Sequence, residues 1–165
     1  MGQNQPVFPP LLAIGLHPMT LPALQALCVD RFPLSTTRQA IMDGLTNFLA
    51  ELSTNGIVAD VWVNGSFLTE KVDPRDSDIV LGIHDNFFKT CTPIQNALLY
   101  KHFIADKAQL LKDKLCDAYL YFIYDQGSPL YWAGVWAQSD WIHQFGFDRG
   151  REIKGMAVIS LPLQP

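Results

Sequence analysis

Cysteine is scarce and unpatterned in this sequence. Its three residues, Cys28, Cys91 and Cys116, form no Cys-x-x-Cys pair and no Cys/His ligand spacing. A disulfide framework and a structural zinc site are therefore not expected, and a reducing, cytoplasmic setting is. Charge is sparse too. Charged residues make up 17% of the chain and the formal net charge is −4. That argues against a broad basic surface for duplex nucleic acid, while leaving room for a small positive pocket. No uninterrupted apolar run reaches the ~18 residues of a membrane span. The opening Met-Gly-Gln-Asn-Gln-Pro has no basic segment followed by an apolar one, so no signal peptide is expected. Pro6 stands where a myristoylation start requires Ser or Thr. Repeats and low-complexity tracts are absent.

What the sequence does have is apolar substance. Apolar residues make up 48% of 165 positions, enough to bury a core and consistent with a single domain over 1–165. Residues 1–19 carry Pro6, Pro9, Pro10 and Pro18 and read as an extended Pro-rich arm laid over the domain. Thr20 and Pro22 can start a short helix running to about Val29. A longer helix begins near 35–37, where Ile41, Leu45, Phe48, Leu49 and Leu52 make one apolar stripe, and it ends at Asn55-Gly56. Strands are expected over 57–63, 78–83 and 118–124, each rich in β-branched or aromatic residues. Thr92-Pro93 opens a helical region to about Leu115, broken near Asp106. Residues 145–148 and 156–161 read as a hairpin around Arg149-Gly150-Arg151, and 126–144 is ambiguous between helix and loop. The order predicts an α+β fold with a mixed β-sheet and helices packed mainly on one face.

The chemistry concentrates in residues 61–81. A strand ends in Gly65-Ser66, a short excursion follows, and Asp76-Ser77-Asp78 opens the next strand. Gly65 has no Cβ, so backbone N–H groups there can approach a phosphate. Ser66 can donate a hydroxyl hydrogen bond to a phosphoryl oxygen. A helix beginning at Phe67 would add its free N–H groups and dipole. Asp76 and Asp78 are two apart, so on a strand they share a face, where two carboxylates repel unless a cation lies between them. Mg²⁺ takes oxygen ligands from one or two carboxylates and from substrate phosphates. A third acid from a neighbouring strand would complete a two-metal clamp. Asp117 is the first candidate and Asp125 the second.

On these residues the chain resembles the polymerase-beta-like nucleotidyltransferase superfamily, whose first core strand runs into Gly-Ser and is followed by two acids at i and i+2. Nine residues separate Ser66 from Asp76. It is most similar to a small single-domain branch marked by Gly-Ser-Phe-x-Thr-x-Lys-x-x-Pro-x-Asp-x-Asp, matched from Gly65 to Asp78. Gly15-Leu16-His17, Phe145-Gly146-Phe147-Asp148-Arg149 and Lys154-Gly155 match its outer strings. Two registers are open. Asp76 and Asp78 are the acid pair in the branch alignment, which keeps the Lys71 and Pro74 spacing and is preferred. In the superfamily's Ser-Asp-Ile-Asp alignment the pair falls on Asp78 and Val80, with one acid lost. The resemblance implies an Mg²⁺-dependent nucleotidyltransferase. Gly65, Ser66 and Lys71 would hold the nucleotide phosphates. Asp76, Asp78 and Asp117 would bind two Mg²⁺ ions, with Asp117 helping to deprotonate an acceptor hydroxyl. The NTP is the substrate, and the acceptor is a protein, an RNA or a small molecule. The alternative is a catalytically degenerate nucleotide-binding or protein-interaction module, such as an antitoxin-like regulator.

Other residues read more simply. His17, His84, His102 and His143 share no ligand spacing. Trp132, Trp136 and Trp141 read as core or interface. Cys91 and Cys116 read as buried small residues. Lys107, Lys112 and Lys114 read as one solvated helical face. Ser66 lacks the Gly-x-Ser-x-Gly elbow of a serine hydrolase.

Overall fold

The apolar stripe of the long helix sets the plan of the molecule. In the computed structural model, which describes residues 6–147 and 152–163, this helix is α2 (Arg38–Thr54). All five stripe residues are fully buried. Each such side chain stabilises the fold by roughly 1.5–3 kcal/mol on area grounds. The helix stops where Asn55 N–H returns to the Glu51 carbonyl and Gly56 takes a positive φ of 72°.

Before it come a short edge strand, β1 (Gly15–Pro18), and α1 (Leu21–Gln25), which widens into a π-turn over Ala26–Asp30. Thr20 caps α1, with its hydroxyl accepting from Ala23 N at 3.4 Å. Of the described part of the arm, Gly15–Pro18 is extended and joins the sheet. After α2 come β2 (Ala59–Asn64) and β3 (Ser77–His84). Next are α3 (Asp85–Thr90) and α4 (Pro93–Tyr100), the latter with a reciprocal Thr92–Gln95 capping box. A π-turn over Lys101–Ala105 and a break at Asp106 lead into α5 (Lys107–Lys114). The chain finishes with β4 (Cys116–Ile123), α6 (Tyr131–Phe145) and β5 (Gly155–Leu161).

The five strands form one mixed sheet in the order β1-β5-β2-β3-β4. β1 runs parallel to β5 and β3 parallel to β4, while β2 is antiparallel to both its neighbours. The period-two alternation of each strand separates two apolar clusters. Val61, Val63, Ile79, Leu81, Ala118 and Ile159 pack with α1, α2, α4 and α5 on one face. Trp62, Val80, Tyr121 and Met156 pack with α6 on the other. The fold is α+β, with helices mainly on one face.

Two expectations change. Among the described residues, 145–147 and 156–161 do not pair as a hairpin. Phe145 closes α6, where it stacks on Trp141 one turn back and on Tyr119 of the sheet. β5 takes its ladders from β1 and β2 instead, and among the described residues Phe147 and Ile153 form an isolated bridge. The Arg149-Gly150-Arg151 turn lies outside the described residues. The ambiguous stretch resolves into α6, with Trp141 packed against the sheet and Trp132 and Trp136 exposed.

Candidate active site

The site is built where β2 ends. Asn64 is buried and ties three elements together. Its Oδ1 accepts from Gly65 N at 2.8 Å, and its Nδ2 donates to the Phe145 carbonyl at the end of α6. Gly65 then turns the chain with φ +80°, in the left-handed region that L side chains resist. The Gly65 N–H is therefore already used, and the space its missing Cβ leaves is taken by the Asp78 carboxylate. A 3₁₀ turn over Gly65–Leu68 follows, in place of the expected helix from Phe67. Phe67 and Leu68 enter the core and fix this turn. Ser66 is half-buried, and its hydroxyl has no hydrogen-bond partner among the described residues.

The excursion from 69 to 76 is held by a residue the sequence did not single out. Arg38, at the first turn of α2, is fully buried. Its guanidinium donates to the carbonyls of Cys28 at 2.7 Å, Phe67 at 2.8 Å, Thr69 and Lys71 at 2.6 Å, and Val72 at 3.2 Å. The Phe32 ring lies 3.7 Å from its carbon centre. Burial pulls the guanidinium below its usual value, but an arginine stays charged. Five donors in a rigid fork match five carbonyls. Asp73 adds a second anchor by accepting from Thr36 N at 2.7 Å and from the Ser35 and Thr36 hydroxyls. The backbone hydrogen bond from Thr36 holds the Asp73 carboxyl below its ordinary range.

The acids are placed by register. Asn64 pairs with Asp78 across β2 and β3, and Asp78 with Asp117 across β3 and β4. All three therefore lie in one row on the α6 face of the sheet. Asp76 precedes β3 and is half-buried. Val80 is fully buried beneath α6 with Trp62 and Tyr121, so it is a core residue. The Asp76/Asp78 pair is the one that faces the cleft.

That cleft has a volume of about 700 Å³. Gly65, Ser66, Lys71, Arg75, Asp76 and Asp78 line it, and Lys154 joins them from the segment before β5. Two carboxylates thus meet three cationic side chains. The carboxyl of Asp76 is pushed up by burial and by the Asp117 charge, against the pull of Lys71 and Arg75.

Asp117 is close enough to act on Asp76 but does not line the cleft. Its Oδ1 is 3.0 Å from Lys107 Nζ, and its Oδ2 accepts from the Tyr119 hydroxyl at 2.8 Å. Lys107 Nζ also sits 3.2 Å from the centre of the Tyr119 ring. Lys107 is thus a half-buried partner rather than part of a solvated face. Asp125 is at the opposite end of β4, beside His84 and Asn86.

Asp76 and Asp78 form an oxygen donor set suited to one hard cation sharing phosphate ligands. Asp117 has both oxygens engaged, and no group of three or more His, Cys, Asp or Glu side chains is placed to hold a metal among the described residues. The cysteines are free. Burial pushes Cys28 up to about 12 and Cys116 up to about 11, so neither is a nucleophile at neutral pH. No helix among the described residues is long and apolar enough to cross a membrane.

The sequence model of a family of unknown function, DUF6932, matches residues 6–160. No curated protein and no solved structure matches the chain.

Proposed function

The chain belongs to the DUF6932 family, and we propose that it is a nucleotidyltransferase that moves a nucleoside monophosphate from an NTP to a protein, RNA or small-molecule acceptor, releasing pyrophosphate. One observation carries this reading. The Gly65-Ser66 turn, the Asp76 and Asp78 carboxylates and the cations Lys71, Arg75 and Lys154 line a single cleft.

Each residue has a task that its position allows. The Ser66 hydroxyl is available to donate to a phosphoryl oxygen. Lys71 and Arg75 offset phosphate charge from the loop that Arg38 holds still. Asp76 and Asp78 would hold Mg²⁺, which when bound would offset charge on the phosphoryl group being transferred. Asn64 fixes the end of β2 against α6, so the Ser66 turn and the acids keep their spacing. Asp117 is the acid positioned next in the row, and it can take an acceptor proton once Lys107 leaves it.

Labelled NTP, Mg²⁺ and a cell extract test the transfer. Label should pass to an acceptor with the wild type and not with Asp78→Asn. Equal results for the two proteins would reject transfer.

A second reading is favoured by the Lys107–Asp117 ion pair. A chain whose third acid is permanently neutralised would bind a nucleotide or a partner without chemistry. In that case Mg-ATP affinity is the same for the wild type and Asp117→Ala, and the wild type labels nothing.

A further inference from the structure

The cleft is chemically mixed. Its lining holds the cations, the acids and Ser66, and also the apolar Pro6, Val7 and Phe8 of the N-terminal arm with Phe145 and Phe147. A bare phosphate site has no use for the apolar residues, whereas a nucleotide has a matching apolar half.

The arm is held there by the phosphate-side loop itself. Leu11 N donates to the Leu68 carbonyl at 2.9 Å, and Glu70 N donates to the Pro9 carbonyl at 2.8 Å. Pro10 forms an antiparallel bridge with Thr69. This bridge and its two hydrogen bonds pair the arm with the residues that connect Ser66 to Lys71. Pro6, Pro9 and Pro10 limit the backbone on both sides of Phe8, so little chain entropy remains to be lost when a ligand presses on it. Phe8 is half-buried and stacks on no other aromatic ring among the described residues. Phe147, which also lines the cleft, has among the described residues one aromatic neighbour, the His143 ring at 5.2 Å. Gln144 also lines the cleft, and its amide can both donate to and accept from the edge of a planar ring.

Building on the nucleotidyltransferase reading, we infer that the N-terminal arm is the nucleobase subsite of the cleft, with Phe8 as the ring on which the base stacks while the triphosphate lies toward Ser66 and Lys71. The arm is then part of the binding site and not merely a cover for the domain. Aromatic stacking accepts any base face, so this subsite favours nucleotides over bare polyphosphates without strong selection among bases.

Calorimetric titration of the full chain with Mg-ATP and with Mg-tripolyphosphate tests this. Wild type should bind Mg-ATP more tightly than Mg-tripolyphosphate. Phe8→Ala should weaken Mg-ATP about tenfold, the scale of one lost base–aromatic stack, and leave Mg-tripolyphosphate unchanged. Phe8→Trp should restore Mg-ATP binding. Tripolyphosphate binding with no added affinity for ATP would overturn the base subsite and leave the phosphate site standing. Equal loss for both ligands in Phe8→Ala would also overturn it, because the arm would then act only on the loop. Failure of the wild type to bind either ligand would overturn the nucleotide reading and this inference with it.

Discussion

The Asp78 carboxylate occupies the place that a side chain on Gly65 would need. A Cβ built on Gly65 collides with Asp78 Oδ2. The glycine of the turn and the acid of the next strand are therefore one unit, set by the Asn64–Asp78 pairing across β2 and β3. Glycine is required twice here, by the positive φ of 80° and by the packing of a charged group on its Cα.

Gly65→Ala should consequently do more than strain the backbone. The left-handed conformation alone costs about 1–2 kcal/mol for an L side chain. The collision adds to this and displaces Asp78 from its row. Urea unfolding should show a loss of at least ~1 kcal/mol, and Mg-ATP binding should weaken in the same variant. Combining Gly65→Ala with Asp78→Gly should recover part of the stability and none of the binding. Additive stability losses would show that the two residues are not coupled.

Arg38 is a buried cation whose five hydrogen-bond acceptors are all backbone carbonyls. Arg38→Met leaves those carbonyls without their donor in a dry site. The expected loss is about 3–5 kcal/mol by denaturant unfolding, since orphaned buried acceptors are costly and several are orphaned together. Arg38→Lys should recover little of it, because one ammonium cannot span the fork. A loss below 1 kcal/mol for Arg38→Met would mean that Asp73 and the core positions of Phe67 and Leu68 hold the loop unaided.

The difference between what the sequence revealed and what it concealed has a physical basis. Ile41, Leu45, Phe48, Leu49 and Leu52 declare α2 because helical periodicity is local, and all five are buried. Asp76, Asp78 and Ser66 were legible because their order along the chain implies a strand, a turn and a strand. Arg38 was not, because its role lies in carbonyls at residues 67–72, and a carbonyl leaves no mark on composition. The edge strand β1 is four residues long with Pro18 at its end, too short to alternate visibly. The segment at Phe145 read as a strand because its partners, Trp141 and Tyr119, act through a helix face and a distant strand. Asp117 pairs with Asp78 in strand register, while its pairing with Lys107 depends on how α5 packs on β4.

Asp73 and Asp76 are three residues apart and should respond to acid in opposite senses. The Asp73 carboxyl is held below its ordinary range by the Thr36 N–H, so its ionised form stabilises the folded chain. That contribution is present above the unfolded carboxylate pKa and is lost as pH falls through the lower folded value. Burial and Asp117 raise the Asp76 carboxyl, so its ionised form disfavours folding. Its stability cost is present above the raised folded value and disappears as pH falls to the unfolded one. In metal-free buffer at neutral pH, Asp73→Asn should therefore lower the melting temperature and Asp76→Asn raise it. Both differences should shrink in acid. Shifts of the same sign at neutral pH would contradict these environments.

Lys107 decides between a working third acid and a spent one. It neutralises Asp117 at 3.0 Å while resting on the Tyr119 ring, and both partners keep a quarter to a third of their side-chain surface exposed. A pair that open to solvent contributes on the order of 1 kcal/mol or less, so its loss should not unfold the protein. Lys107→Met keeps the apolar stem against Tyr119 and removes the cation. Asp117 then adds its charge to that of Asp76 without Lys107 to offset it, and gathered carboxylates favour a divalent ion. If Asp117 belongs to the metal site, Mn²⁺ titration followed by electron paramagnetic resonance should show about tenfold tighter binding in Lys107→Met than in wild type, because the cation it must displace is gone. Adding Asp117→Asn to that variant should cancel the gain. Unchanged Mn²⁺ affinity in Lys107→Met would leave Asp117 as a partner of Lys107 and Tyr119 only. The cleft would then bind its metal through Asp76 and Asp78 alone, and the binding-module reading would replace the transferase.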